Sequence, residues 1–403
     1  MHGPGTRPSD VLLRRATGVL AVLFAAGFGA AVPALADSVS GATWPVPGAF
    51  DPYRVRVLLF EAPKEVTFEY EALRQKVKAV RGGLQAGSGK PIPAWRTGSD
   101  EAVTRVGSFR VRGRVEAVRT EDGIAVINDV PLERYLAGIL GREMYPGWHG
   151  EALRAQAVAS RTYALYRAER AGGRQNYAVT AGTSSQVYRG VDAESTAVWE
   201  AVRATRGEIL TQAGHPILAA FHSDAGGRTA SSAEVWGEKL TYLTSLEVID
   251  EGDSPDTYWR SAIARTTLRR ALDAAGKPVG RIKGLDVVKR ADSGRVLLLK
   301  ARGTDRTIEL TGRELRRALG QSVIRSTLFE VRETDEGVAF VGSGRGHGVG
   351  MSQWGARAMA ERGANYREIL EHFYPGAALG SLDDFAGVVA SDSSAAMAKE
   401  TGR

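Results

Sequence analysis

The stretch Val130–Tyr166, VPLERYLAGILGREMYPGWHGEALRAQAVASRTYALY, most constrains what this chain can become. Pro131 suits a first helical turn, where its missing N–H costs nothing. Leu132, Tyr135, Leu136, Ile139 and Leu140 then follow the i, i+3, i+4, i+7, i+8 spacing of one buried helix face. The next position on that stripe is Glu143. A carboxylate on an apolar face is costly to ionise, so its pKa is expected to rise into the range a general acid needs. Pro146 and Gly147 break the helix, and a second helix is expected from about Gly150 to Arg170. Glu143 thus falls at a helix end beside a turn. The structural alternative is that Glu143 caps the chain or pairs with Arg161.

Upstream of this hub, Arg14 and Arg15 precede an apolar run from Val19 to Val32, and Ala34-Leu35-Ala36 follows as a small-x-small cleavage signature. Residues 1–36 read as a secretory signal peptide, with an uncleaved N-terminal anchor as the rival and the only expected link to a membrane. Its removal lowers the formal net charge from +7 to about +5. That balance suits a polyanionic wall and gives no reason to expect nucleic acid. There is no cysteine, which excludes disulfides, thiol nucleophiles and cysteine-ligated zinc.

Residues 37–127 read as β-rich, with strands at Arg54–Phe60, Ser108–Val118 and Gly123–Ile127, and Asn128-Asp129 as a turn into the hub. Residues 128–260 form the first part of a core. It includes a helix near Glu194–Thr205 closed by Gly207, and a hairpin of Glu208–Leu210 with Pro216–His222. Residues 261–335 change texture and read as an inserted α/β lobe, with helices at Thr267–Ala275 and Gly312–Leu319 and strands at Leu285–Lys289, Arg295–Leu299 and Thr307–Leu310. Residues 336–383 resume the core with a strand at Gly337–Val341, then helices at Met351–Glu361 and Tyr366–Phe373. Residues 384–403 have the composition of a disordered tail. The expected fold class is α+β: a mixed sheet with a central helical core and an inserted α/β lobe, not lysozyme-like.

Gly344-x-Gly-x-Gly lacks the spacing of the dinucleotide fingerprint, and no nucleotide cofactor is expected. Its glycines let backbone come close and hold His347 near a helix start. His222 also lies in a Gly-rich loop. With His149 or Asp224 these histidines make zinc conceivable, but no paired short spacing supports it, so no metal is expected. The segment Ser185-Gln186-Val187-Tyr188, with Trp236, Tyr242 and Trp354, offers the amides and aromatic faces that hold sugar rings. No G-x-S-x-G elbow is present.

Four ordered blocks resemble the stage II sporulation protein D (SpoIID/LytB) family: the hub itself, SSQVYRG at 184–190, FHSDAGGRTASSAEVWG at 221–237 and GRGHGVGMSQWGARAMAERG at 344–363. ELRRALG (314–320) and STLF (326–329) in the lobe are similar too. The resemblance implies an exported lytic transglycosylase. Such an enzyme cuts peptidoglycan glycan strands between N-acetylmuramic acid and N-acetylglucosamine, preferring strands that an amidase has stripped of stem peptides. It implies that Glu143, in the family's E-M dipeptide, is catalytic. It carries Arg161 (ASRTY), Thr229 (G-G-x-T) and Tyr242 (Y-L) as site residues. Gln186, Tyr188, His222, His347 and Gln353 fall in the same blocks and are expected to bind substrate. Some members carry a basic residue after the Y-L where this chain has Thr244, and some bind zinc through cysteines this chain lacks. Another branch is named for enhancing an amidase, which supplies a non-catalytic alternative with an amidase as partner. A muramidase would need a second carboxylate such as Asp224; Glu133 points off the apolar stripe.

Overall fold

The computed structural model describes residues 54–171, 176–182, 185–249 and 251–384. The expected signal peptide and the tail beyond 384 lie outside the described residues.

The hub forms as its spacing requires. Helix α1 (Leu132–Glu143) follows Pro131, which stands at the N-cap, and α2 (Gly150–Ala171) runs on after the Pro146-Gly147 break. Every stripe residue of α1 is buried, Glu143 among them. Around this pair a five-stranded sheet has the order Val179–Thr180, Arg54–Ala62, Ile124–Pro131, Arg114–Arg119, Ala94–Thr97. A second five-stranded sheet runs Gly83–Ala86, Leu73–Val80, Glu65–Tyr70, Thr104–Val106, Phe109–Val111. The fold is mixed α+β, with one large core from Val55 to Leu382.

Asn128-Asp129 is not a turn. Both residues continue the strand Ile124–Pro131. The buried Asn128 side chain acts as a strut: Nδ2 donates to the carbonyls of Arg112 (2.9 Å) and Arg114 (3.0 Å), and Oδ1 accepts from Tyr188 OH (2.7 Å). Asp129 accepts from Arg54 Nε at 3.0 Å. Polar side chains with such partners do not need to break a strand. The strands between Glu65 and Ala86 lie in a stretch that reads only as charged and Gly-rich. There Val66, Phe68 and Val77 alternate inward beneath an exposed face of Glu and Lys.

The hairpin after α3 (Thr196–Ala204) is shorter than its sequence suggests. Glu208–Gln212 pairs with His215–Pro216 across a two-residue turn, Ala213-Gly214, with φ of 51° and 81°. Its other edge takes Ala378–Ser381. Phe221–His222 leaves the hairpin and pairs in parallel with Met351–Ser352. Gly350 permits that pairing, since a Cβ there would meet Ala220 O at 2.0 Å. A short helix, α4 (Ser232–Trp236), follows.

The inserted lobe has its own core, from Trp259 to Phe340. It contains α5 (Arg265–Ala274), α6 (Gly312–Leu319) and two three-stranded sheets. Gly337–Gly342, read from sequence as core, is the central strand of one of these sheets, between Trp259–Ala264 and Phe329–Glu333. That sheet begins at Trp259, two residues before the change of texture, and includes Gly342, seven residues past its end. The main core resumes with α7 (Gln353–Glu361) and α8 (Tyr366–Phe373). No described helix is long and apolar enough to cross a membrane.

Candidate active site

Glu143 closes α1 with a side chain 4% exposed. The backbone N–H of Val187 donates to its Oε1 at 2.9 Å. Burial pushes its pKa up to about 7, and the Val187 bond holds that rise back. The C-terminal end of a helix also disfavours negative charge. No other carboxylate is among the groups that shift it. Two magnitudes explain why it stays inside. Holding the carboxyl at a pKa near 7 costs about 3 kcal/mol when it ionises, whereas each buried aliphatic or aromatic side chain of the stripe contributes about 1.5–3 kcal/mol. The stripe wins.

Arg161, expected beside Glu143 or the substrate, is elsewhere. It is fully buried, and its fork meets Glu133 through Nε–Oε1 (2.9 Å) and Nη2–Oε2 (2.8 Å), while Nη1 donates to Glu208 O (3.0 Å). Glu133 is in the first turn of α1 and Glu143 in the last, about 15 Å apart along the axis. Arg161 therefore clamps α1 to α2 and the following strand; its guanidinium bonds Glu133 and the carbonyls of Glu208 and Val202, not Glu143. Glu133 points off the stripe because it is this arginine's partner.

Other expected binding residues are also built into the interior. Tyr188 donates to Asn128 and stacks on Tyr135 with ring centroids 5.5 Å apart. Thr229 Oγ1 donates to Thr244 O (3.1 Å) and accepts from Leu246 N (2.8 Å), which closes the Gly-rich loop. Tyr242 OH accepts from Leu218 N at 3.1 Å. Gln186 and Gln353 are each 1% exposed and bond to other buried side chains. These five are held by interior bonds instead of lining an open surface.

His222 and His347 do come together, with ring centroids 5.5 Å apart. His222 Nδ1 donates to Val349 O at 3.2 Å, and His347 Nδ1 accepts from Val349 N at 3.0 Å. Burial lowers both pKa values, so both rings are neutral. His149 is exposed at the start of α2. Among the described residues no three His, Asp or Glu side chains are arranged to hold a metal. Asp224 is fully buried next to Glu251, and both burial and that neighbour push its pKa up. Its rise is shared with Glu251, whereas that of Glu143 has no carboxylate behind it.

Further aromatic groups follow Glu143 along the chain. Tyr145 is 61% exposed. Trp148 meets Trp354 edge to face at 4.8 Å, and the Arg357 guanidinium lies 4.8 Å from the Trp354 centroid and 5.6 Å from that of Trp148. Trp354 was expected to hold sugar; Tyr145 and Trp148 sit two and five residues after Glu143, which was the available clue.

A family model described as "Stage II sporulation protein" matches residues 120–212, which include α1, α2 and the Val187 segment. A second model, a domain of unknown function, matches residues 241–350 and so covers the lobe. The stage II sporulation protein D of Bacillus amyloliquefaciens is 30% identical over 280 residues, covering 64% of this chain and 77% of that one. The chain belongs to the stage II sporulation protein D family. An uncharacterized protein of Brachyspira hyodysenteriae is 32% identical over 264 residues (66% of this chain, 70% of that one). The amidase enhancer of Bacillus subtilis is 31% identical over 294 residues, of which the chain spans only 40% of the enhancer's length. Within the family match, Glu143 is the carboxyl whose surroundings are suited to proton transfer near neutrality.

Proposed function

We propose that the protein is an exported lytic transglycosylase that cleaves peptidoglycan glycan strands between N-acetylmuramic acid and N-acetylglucosamine, preferring strands without stem peptides. The names of its relatives, a sporulation protein and an amidase enhancer, support a cell-wall role. The observation that carries the reaction is the Glu143 carboxyl, buried and raised to about 7 with no second carboxylate behind the rise, unlike Asp224, whose rise Glu251 shares.

Ordinary glycosidases flank the bond with two carboxyl groups. With one, the nucleophile in this proposal is the sugar's own 6-hydroxyl. Protonated Glu143 donates to the glycosidic oxygen, and the C1–O bond breaks as an oxocarbenium-like centre develops at muramic acid C1. The resulting carboxylate takes the proton of that sugar's 6-hydroxyl as its oxygen bonds to C1. The product is a 1,6-anhydro end, and Glu143 is again protonated. Tyr145, Trp148 and Trp354 supply aromatic faces for the sugars on either side, with Arg357 as a nearby cation. The first half-reaction needs the protonated acid, so turnover should fall as pH rises past about 7.

The test is mass spectrometry of products from intact and amidase-treated peptidoglycan, with the wild type and Glu143→Gln. Anhydro ends that require Glu143 and increase on stripped strands support the proposal. The amidase-enhancer relative favours a second reading, a glycan-binding partner of an amidase. Uncut glycan with both proteins, alongside faster cleavage by an added amidase, would establish that reading instead.

A further inference from the structure

We propose that Gln186 is a positioning residue for Glu143: anchored to α1 and α2, and through α2 to α7, it aims the Val187 N–H at the Glu143 carboxyl. This rests on Glu143 being the reactive group.

The anchoring is a chain of buried bonds. Tyr135 OH on α1 donates to Gln186 Oε1 at 2.7 Å, and Gln186 Nε2 donates to Ser160 O on α2 at 3.5 Å. Gln156 Nε2 donates to Ser160 Oγ at 2.9 Å, and Gln353 Nε2, from α7, donates to Gln156 Oε1 at 3.2 Å. All five side chains are at most 1% exposed. A buried amide that loses a partner costs about 1–3 kcal/mol, so the amides are held in one sense. The Ser160 carbonyl can only accept, so Gln186 must turn its Nε2 toward it. Gln186 receives Tyr135's proton on its oxygen, which leaves its nitrogen for α2.

Gln186 and Val187 share a peptide unit. Fixing the Gln186 side chain on two helices fixes that peptide plane from one side. From the other, Tyr188 OH is held by Asn128, and Arg189 N donates to Gly138 O at 2.9 Å. The Val187 N–H therefore has little freedom to turn from Glu143 Oε1. The ionisable groups facing Glu143 are the phenols of Tyr135 on α1 and Tyr163 on α2, both shifted upward by burial and uncharged near neutrality. The Val187 dipole is what favours the carboxylate, the form that must take up the 6-hydroxyl proton. A loosened dipole would leave Glu143 a weaker acid, less able to give its proton to the glycosidic oxygen, and move its titration upward.

The test combines kinetics with a readout that needs no turnover. In Gln186→Met, which keeps length and removes both bonds, kcat should fall about ten-fold with KM within about two-fold, and the alkaline limb should move up by about one pH unit. Gln353→Met should shift the limb the same way by less. In parallel, carbon-13 NMR of glutamate-labelled full chain follows the Glu143 carboxyl, identified by its loss in Glu143→Gln. An upward midpoint in Gln186→Met supports the proposal, and an unchanged midpoint in the folded variant overturns it. Should Gln186→Met fail to fold, the midpoint in Gln353→Met decides by the same criterion. A wild type that cuts no glycan would overturn the transglycosylase reading, while the NMR titration would still judge the positioning.

Discussion

The two ends of α1 treat the same residue type in opposite ways. At the first turn, Glu133 meets a fully buried guanidinium with two bonds under 3 Å. At the last turn, Glu143 is more deeply buried yet receives a backbone N–H and no cation. The first carboxylate binds the helix to its surroundings through Arg161. The second is half-protonated near pH 7 and costs stability when it ionises. An ion pair and a buried acid without a counter-charge thus differ by what faces them, although only ten residues of one helix separate them.

Substitutions at each end can break that contrast. The largest expected effect is on chemistry: Glu143→Gln should lower glycan cleavage about 10³-fold or more while leaving the circular dichroism spectrum intact. If activity survives, the two ends do not differ in function. Next, Glu133→Ala should destabilise the fold by about 3–4 kcal/mol in urea titrations, because it strands Arg161 as a buried, unpaired cation. A loss below 1 kcal/mol would mean that the clamp is not needed.

Glu143→Gln should do the reverse to stability. The folded pKa, about 7, lies above the ordinary carboxyl value. The wild type is therefore at full strength below about pH 4.5, weakens as pH rises to about 7, and is constant beyond. The variant escapes that loss, so it should gain up to about 3 kcal/mol at pH 8 and almost nothing at pH 4. Equal stability at both pH values would remove the buried-acid account. The smallest effect lies between the ends. A Cβ at Gly138 would meet Tyr188 Cε2 at 2.5 Å, so Gly138→Ala should cost about 1–3 kcal/mol by thermal denaturation.

The period of α1 was legible because one face is apolar throughout, and it pointed to Glu143 through the same rule that buried it. The lobe was legible by texture, although its central strand Gly337–Gly342 looks like core because it is apolar on both sides. The site residues were less legible. Arg161, Gln186, Thr229, Tyr188 and Tyr242 are polar, and polarity in a motif reads as contact with substrate. Their bonds instead go to backbone and to other interior side chains across 15 to 60 residues. Sequence spacing carries no record of such pairings. Asn128 misled for the same reason: a residue that favours turns when free becomes a strut when three partners enclose it.

The lobe's two chain ends leave and re-enter the core side by side, since Trp259 pairs directly with Gly342. The excursion therefore begins and ends at one doorway, and the core needs only that its two banks stay together. Gln156 and Gln353 must find each other across 197 residues, a separation that slows assembly during synthesis. A lobe that folds by itself brings the banks together first and shortens the remaining search. The entropic gain is small, about 0.5 kcal/mol, because closure depends only weakly on loop length. The same weak dependence means that this doorway tolerates lobes of very different size, so evolution can exchange what is mounted there without retuning the helix that carries Glu143.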